Sequence, residues 1–360
     1  MTPETPRLYL ATDLVEVECC RFAAGTACVY THRAPDKDSA NEDSAALIPC
    51  GTGAGVLTIA DGLGGLPAGN QASEQAVRQL STSVTSSCGN STALREAILD
   101  GIEQANSRII GLGLGAATTI AVAEIDARAV RCYHVGDSMI LVTGQRGKIK
   151  YQTISHSPVA YAVEAGLVHT DDAIYHEDRH LISNMIGSGD MRVEIGPRLT
   201  LAPRDTVVVA SDGLFDNLLL TEVVEIVRKG PLQRAALRLA EVASERMAEP
   251  TTKLPSKPDD LTFILFRPGR RTGASAWRRS GPRRPPTAPT GGASRGVPPR
   301  RPGAPSCMWS PRPASPVRPG DVLEFVAEID LVVGLSACPG GDGGAGHSSD
   351  AAACHPLRSA

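Results

Sequence analysis

The order of apolar and polar positions along the chain predicts short strands in hairpin-like runs and helices in pairs. The segments with strand character are 8–17, 26–32, 45–48, 56–59, 118–125, 130–135, 139–143, 148–154, 193–201, 206–210 and 261–266. Apolar residues at four-residue spacing predict paired helices over 72–84 and 94–109, and a second pair begins at Thr221 and Pro231. Because this order lacks the strict alternation of a doubly wound sheet, we predict an α+β fold of antiparallel sheets with helices on their outer faces.

Composition divides the chain into two parts. The 360 residues are 42% hydrophobic but only 4% aromatic, which allows a mostly aliphatic core. The formal net charge of −3 hides an asymmetry, because residues 267–319 contain twelve arginines and no aspartate, glutamate or lysine. We therefore predict a globular domain over 1–267 and a disordered Arg/Pro/Gly-rich tail over 268–360, whose composition buries too little apolar surface to fold.

Cysteine usage and hydropathy indicate a cytoplasmic protein. The nine cysteines include no CxxC pair and no Cys/His cluster with zinc spacing. Several lie in apolar strand-like runs, where a free thiol behaves as a small hydrophobe. No apolar run reaches the ~18 residues that span a bilayer, and the polar first seven residues, with two prolines, do not resemble a signal peptide. We expect a reducing location and no membrane partner.

Acidic residues recur at the ends of the predicted strands. Asp61, Asp137 and Asp212 each follow a strand and precede Gly or Ser, Asp43 precedes a small apolar run, and Asp259 lies just before the last strand. Carboxylates on such loops can converge at one rim of a sheet, where a divalent cation would relieve their mutual repulsion. A ligand set without His or Cys favours Mg²⁺ or Mn²⁺ over Zn²⁺. Each Asp taken alone is better explained by a turn or a helix cap, so the interpretation rests on the whole set.

Seven short motifs occur in order between residues 8 and 266. They are Asn41-Glu42-Asp43-Ser44, Asp61-Gly62-Leu63-Gly64-Gly65, Gly115-Ala116-Ala117-Thr118-Thr119, Gly136-Asp137-Ser138, Val163-Glu164-Ala165-Gly166, Ser211-Asp212-Gly213-Leu214 and Asp259-Asp260-Leu261-Thr262. Each motif is weakly specific. Together, the set resembles the metal-dependent type-2C (PPM) family of protein serine/threonine phosphatases in its compact bacterial form. The resemblance implies a four-layer α-β-β-α sandwich, in which two antiparallel β-sheets are flanked by helices.

The resemblance also implies a binuclear Mg²⁺ or Mn²⁺ site. Asp43 and Asp61 match the carboxylates that bridge or flank two metal ions in the family. The Gly62 carbonyl matches a backbone ligand, and Glu42 would act in the outer shell through metal-bound water. These residues come from the two motifs that precede the first predicted helix.

The remaining implied ligands come from later motifs. Asp212 and Asp259 match the ligands of the second ion, and Asp137 matches a ligand of a third, weaker site. The resemblance implies that a water or hydroxide bridging the two ions attacks the phosphorus of phosphoserine or phosphothreonine. Asp43, Asp61, Asp212 and Asp259 would then act in catalysis through the metal-bound water.

Three positions depart from the family pattern. One is Ser155, which stands before His156-Ser157 where family members commonly have Asp. Family members usually carry Arg three residues before Asn41 to bind the substrate phosphate, and this chain has Asp38 there. Arg33 and Lys37 are the nearby candidates for this phosphate-binding role. Leu63 stands where many animal relatives have His, which leaves the chemistry to the metal ions and their waters. The change at Asp38 keeps an alternative open, a catalytically weakened PPM-fold module that regulates or binds.

The resemblance further implies a phosphorylated protein substrate, one that serine/threonine kinases modify, and a monomeric enzyme. The arginine-rich tail raises a rival hypothesis, binding to nucleic acid or to an acidic surface. The tail lacks interleaved aromatic residues and any RNA-binding signature. We therefore expect no specific nucleic-acid partner.

Overall fold

The computed structural model describes residues 5–269, apart from 65, 67, 89–90 and 250–253. Residues 270–360, nearly all of the predicted tail, lie outside the described residues. Strands and helices are numbered below in chain order.

Two antiparallel sheets form the centre of the described chain. The first sheet has the order β1-β4-β5-β6-β7-β10, and β11 also pairs with β7. Its strands are β1 (Arg7–Leu10), β4 (Asp43–Pro49), β5 (Ala54–Asp61), β6 (Ile120–Asp126), β7 (Ala129–Val135), β10 (Glu194–Ile195) and β11 (Leu199–Thr200). The second sheet has the order β2-β3-β13-β12-β8-β9. Its strands are β2 (Glu18–Phe22), β3 (Gly25–His32), β8 (Met139–Thr143), β9 (Ile149–Gln152), β12 (Thr206–Ala210) and β13 (Leu261–Pro268).

Helices cover both outer faces of the sheet pair. The first sheet carries α1 (Gly69–Ser86) and α2 (Ser91–Gly111), and the second carries α5 (Asp212–Phe215), α6 (Leu220–Val227) and α7 (Leu232–Ala248). Between β9 and β10 lie α3 (Pro158–Glu164), α4 (Thr170–Ala173) and a 3₁₀ turn (Glu177–His180). The predicted four-layer α-β-β-α sandwich is therefore confirmed. Within the described part of the chain, no helix is both long and apolar enough to cross a bilayer.

Three apolar layers hold the sandwich together. The central layer lies between the sheets and joins residues such as Leu57 and Ile59 of the first sheet to Phe22 and Phe266 of the second. The rings of Phe22 and Phe266 meet edge to face, with centroids 6.4 Å apart. The two outer layers bury the apolar stripes of the helices, including Leu80 on α1. The stripes read from the sequence are thus core-facing surfaces.

Two predicted strands are shorter in the structure. The predicted strand 8–17 ends at Leu10, because Ala11 adopts a left-handed conformation with φ of 44°. The predicted strand 193–201 is divided into β10 and β11. Pro197 lies in the interruption, and proline has no amide hydrogen to donate to a neighbouring strand.

Two disulfides connect elements that the sequence analysis treated as carrying free thiols. Cys19 and Cys28 are direct partners in the β2–β3 pair, with Cα atoms 4.1 Å apart. Cys50 and Cys88 link the end of β4 to the end of α1. The expectation of free thiols was wrong at these four positions. At Cys19 and Cys28, strand register places residues nine apart in sequence directly opposite each other, and at Cys50 and Cys88 the packing of α1 brings together residues 38 apart. Disulfides are uncommon in reducing compartments, and the cytoplasmic location stays a prediction.

Candidate metal centre

The β4–β5 hairpin brings the first two predicted ligands face to face. Asp43 begins β4, Asp61 ends β5, and the two are direct cross-strand partners. Asp43 is fully buried, and its Oδ2 accepts a 2.8 Å hydrogen bond from the hydroxyl of Ser211, which follows β12. The Asp43 amide donates to the Asn41 side chain at 2.9 Å. Asp43 is therefore fixed through both its backbone and one carboxylate oxygen.

Gly62 packs so closely between two backbone segments that it has no room for a side chain. A Cβ at this position would lie 2.3 Å from the carbonyl oxygen of Gly69, the first residue of α1. It would also lie 2.9 Å from the carbonyl oxygen of Glu42, to which the Gly62 amide donates at 3.1 Å. Only glycine permits this approach, which places the backbone of Glu42, Gly62 and α1 around one end of the hairpin.

The other three predicted ligands also lie at strand ends. Asp137 lies between β7 and β8, Asp212 begins α5 directly after β12, and Asp259 precedes β13. A Cβ on Gly213 would lie 2.0 Å from the carbonyl oxygen of Asp260. The start of α5 and the start of β13 are therefore in backbone contact, which brings Asp212 and Asp259 together.

The electrostatics show that the five aspartates form one cluster. Burial, followed by the charges of the four others, raises the pKa of Asp61 well above its usual range. Burial and then the charge of Asp212 raise the pKa of Asp137 to about 8. The same two causes raise the pKa of Asp259 to about 6. Effects of this kind require close carboxylates, so the structure brings together all five aspartates that the sequence analysis singled out.

Two oxygen atoms of this cluster show that its residues fit a divalent cation. Asp43 Oδ1 and Asp137 Oδ1 are buried and have no hydrogen-bond partner. A buried carboxylate oxygen without a donor is destabilising, and a bound cation would satisfy it. The surrounding groups are carboxylates and backbone carbonyls, which are the ligands that Mg²⁺ and Mn²⁺ prefer.

A lysine lies inside the cluster, and the sequence analysis gave it no role. The Lys257 ammonium is 2.6 Å from Asp212, 2.9 Å from Asp259 and 3.0 Å from Asp216. Burial opposes its charge, but the charges of these carboxylates prevail and raise the pKa of Lys257 above its usual value. The sequence contains a signal that could have predicted this contact. Residues two apart in an extended segment point to the same side, and Lys257 and Asp259 are two apart.

The two predicted phosphate-binding cations are each paired with acidic side chains. Lys37 Nζ lies 2.8 Å from a carboxylate oxygen of Glu42 and 2.7 Å from one of Asp260. The Arg33 guanidinium lies 3.2 Å from Asp13, at the surface. Lys37 is thus next to the aspartate cluster, and both cations are engaged by carboxylates of the chain itself.

A second group of titratable side chains lies next to the loop that carries Asp137. Atoms of His134, His156 and Glu194 approach within 4.8 Å of one another. The Gly136 amide donates to His156 Nδ1 at 3.0 Å, so the proton of the neutral ring is on Nε2, which faces Glu194 at 3.3 Å. The His156 amide donates in turn to the Gly136 carbonyl at 3.0 Å. This group therefore positions the loop that carries Asp137.

A cavity of about 480 Å³ opens beside the aspartate cluster. Asp137, Asp212 and Asp216 form its acidic side. Its other walls come from β8, the segment from 152 to 179, and residues 215–221. They are mostly apolar but include the charged side chains of Glu164 and Arg179. The cavity is a space in which a group bound at the cluster can extend along the protein surface.

Comparison with known proteins identifies relatives that are protein phosphatases. The family model for protein phosphatase 2C matches residues 32–248. A putative protein phosphatase 2C-type of Streptococcus pyogenes is 33% identical over 199 residues, which are 53% of this chain and 80% of the relative. Protein phosphatase PhpP of Streptococcus pneumoniae is 34% identical over 183 residues, which are 48% of this chain and 72% of PhpP. The serine/threonine phosphatase of S. agalactiae superposes with a TM-score of 0.59 at 27% identity, covering 67% of this chain and 98% of that one.

The fold and the site define the class: a metal-dependent hydrolase built on an α-β-β-α sandwich. The chain belongs to the protein phosphatase 2C family, because the family model matches more than half of its 360 residues. It is therefore a serine/threonine protein phosphatase, and the members of this family are metal-dependent. The family resemblance and the enzyme class that the sequence predicted are both confirmed.

Proposed function

We propose that this chain hydrolyses phosphoserine and phosphothreonine in proteins, with a water or hydroxide shared by two Mg²⁺ or Mn²⁺ ions as the nucleophile. The observation that carries the proposal is the cluster of five aspartates, in which two buried oxygen atoms have no hydrogen-bond partner. The substrate proteins would be those that serine/threonine kinases phosphorylate. The enzyme would act as a monomer, in the cytoplasm.

The residues that would hold the metal ions are Asp43, Asp61, Asp212, Asp259, the Gly62 carbonyl, Asp137 at a third ion, and Glu42 through water. The bound ions would supply a water of lowered pKa, so that hydroxide would be available near neutral pH. The chain's own contribution is orientation. The Ser211 hydroxyl donates to Asp43 Oδ2, while Oδ1 is buried without a hydrogen-bond partner. The hydrogen bonds between His156 and Gly136 fix the loop of Asp137.

The cavity beside Asp212 supports a proposal about the substrate. Its acidic side includes two of the proposed metal ligands, Asp137 and Asp212, and its remaining wall is mostly apolar apart from Glu164 and Arg179. We therefore propose that it accepts a side chain next to the phosphorylated residue and that it favours an uncharged apolar one.

The test is metal-dependent phosphatase activity of the full chain. We expect hydrolysis of para-nitrophenyl phosphate and of phosphoserine and phosphothreonine peptides with Mn²⁺, and no activity with a chelator. Asp212→Asn should abolish turnover. Asp126→Asn is the matched control, because Asp126 is an exposed aspartate whose partner is Arg198 at the surface. Folded wild-type protein that binds Mn²⁺ but shows no turnover would contradict the proposal.

One observation favours a second candidate function, a weakened module that binds phosphoproteins without turning them over. Both Arg33 and Lys37 are held in ion pairs, so neither guanidinium nor ammonium is aimed at a substrate phosphate. This candidate predicts Mn²⁺ binding and phosphopeptide binding by the wild-type chain, with turnover no greater than that of Asp212→Asn. Steady-state kinetics with both proteins distinguish the two candidates.

We also propose that residues 1–267 contain the whole catalytic unit and that the tail is not needed for turnover. The last strand reaches Pro268, and the Gly269 amide donates to the Ala24 carbonyl at 2.8 Å. A truncation that tests this proposal should therefore end after Gly269. It should keep the kcat of the full chain, and a loss of activity in a folded truncation would place the boundary elsewhere.

A further inference from the structure

Lys257 contacts the two side chains that the second metal ion would need. Its Nζ lies 2.6 Å from Asp212 Oδ2 and 2.9 Å from Asp259 Oδ2, and a third carboxylate, Asp216, is 3.0 Å away. The lysine side chain is 26% exposed, so it extends into the cluster rather than into solvent. Its single positive charge therefore occupies the position at which the second divalent ion would bind.

The backbone of Lys257 is fixed in a way that aims the side chain at this place. Asn217 is fully buried, and its side chain both accepts from the Lys257 amide and donates to the Lys257 carbonyl, each at 2.8 Å. The same Asn217 amide group donates to the Gly213 carbonyl of α5 at 2.8 Å. Pro258 follows and restricts Lys257 to an extended conformation. One asparagine therefore ties Lys257 to the helix that begins with Asp212.

We propose that the Lys257 ammonium is an internal cation that bridges Asp212 and Asp259 in the metal-free protein and is displaced when the second divalent ion binds. The inference rests on the metal site of the proposed function. Lysine and metal ion then compete for the same carboxylates, and a competitor in the folded state weakens the apparent affinity for the ion. Lys257 would in this way set the Mg²⁺ or Mn²⁺ concentration at which the phosphatase becomes active.

The first test compares Mn²⁺ binding by the full chain and its Lys257→Met variant in isothermal titration calorimetry. We expect one of the binding events to tighten by about tenfold or more, which corresponds to roughly 1.4 kcal/mol. The melting temperature of the metal-free variant should fall, because its carboxylates lose their counter-ion. Lys229→Met is the matched control, since Lys229 is an exposed lysine paired with Glu225, and it should change neither quantity.

The second test needs no substitution and detects displacement directly. The wild-type chain is treated with a water-soluble acetylating reagent, with and without Mn²⁺, and the modified lysines are quantified by mass spectrometry. Lys257 should react slowly without metal and several-fold faster with it, whereas the exposed Lys229 should react equally in both. This readout separates displacement from a general effect of removing a positive charge.

Two outcomes would overturn the inference: Mn²⁺ affinity in Lys257→Met that is unchanged or weaker, or acetylation of Lys257 that does not respond to Mn²⁺. If the wild-type chain turns over phosphopeptides with Mn²⁺ while either outcome occurs, only the role of Lys257 fails. If neither wild-type nor variant binds Mn²⁺, the metal site of the proposed function fails with it.

Discussion

Replacing Lys37 by methionine tests whether this lysine binds substrate phosphate or neutralises a buried acid. Asp260 is 5% exposed. Its carboxylate lies 2.7 Å from the Lys37 ammonium and accepts hydrogen bonds from the backbone amides of Glu42 at 2.6 Å and Ala34 at 2.8 Å. Methionine keeps most of the length of the lysine stem and removes only the charge. The variant would leave Asp260 with backbone donors but without its counter-ion.

The size of the effect follows from the burial of the pair. Breaking a buried ion pair by removing one partner typically destabilises a protein by about 3–5 kcal/mol. Lys37 is 21% exposed, so water replaces part of the lost interaction, and we expect the lower end, about 3 kcal/mol. For a domain of this size each kcal/mol lowers the melting temperature by roughly 2–4 °C, so the expected fall is roughly 6–12 °C.

The assay is thermal and chemical unfolding followed by circular dichroism at saturating Mn²⁺, combined with kinetics on a phosphopeptide. Asp260→Asn and the double variant with Lys37→Met complete a double-mutant cycle, in which a direct ion pair should give a coupling energy of about 1 kcal/mol or more. The surface variant Lys229→Met should leave stability unchanged. A Lys37→Met protein with wild-type stability and a raised KM would refute this reasoning and assign Lys37 to the phosphate.

Three further outcomes are expected. Gly213→Ala should lose about 3 kcal/mol of unfolding free energy, because the new methyl would lie 2.0 Å from the Asp260 carbonyl oxygen. A melting temperature within about 2 °C of wild type would contradict the close contact. Phe266→Ala should cost about 3–5 kcal/mol by opening a cavity between the sheets, measured by urea unfolding. Burial lowers the pKa of His134. As the pH falls below about 6.5, the unfolded chain is therefore protonated at this residue before the folded chain, and the free energy of unfolding decreases. Above about pH 6.5, His134 causes no such decrease. The stability of wild type relative to His134→Gln should therefore decrease from pH 7.5 to pH 5.5, and a constant difference would refute the assignment.

The sequence predicts the parts of this protein that depend on local pattern. The stripes of α1 and α2 and the strands that lead into Asp61 and Asp212 are all recognisable, because burial imposes a period on the residues. The convergence of the aspartates could also be anticipated, since each follows or precedes a strand.

Contacts set by long-range register could not be predicted in the same way. The Cys19–Cys28 disulfide depends on which residues of β2 and β3 are opposite each other. The pairing of Lys37 with Asp260 joins residues 223 apart, and the position of Lys257 depends on the hydrogen bonds that its amide donates to Asn217 and that its carbonyl accepts from Asn217. These features arise from tertiary packing, which leaves no periodic trace in the sequence.

The β4–β5 hairpin has a consequence for how this protein can change in length. Asp43 and Asp61 are paired at one end of the ladder, and Pro49 and Gly55 are paired six residues away at the other, a separation of roughly 20 Å at about 3.3 Å per residue. An insertion or deletion in the distant turn that shifted the pairing by one residue would move one aspartate to the opposite face of the sheet. The turn over 50–53 cannot change in any way that slides the strands, because the pairing of Asp43 with Asp61 depends on their register. Its composition is constrained as well, by the Cys50–Cys88 disulfide and by the positive φ of Gly51 and Gly53.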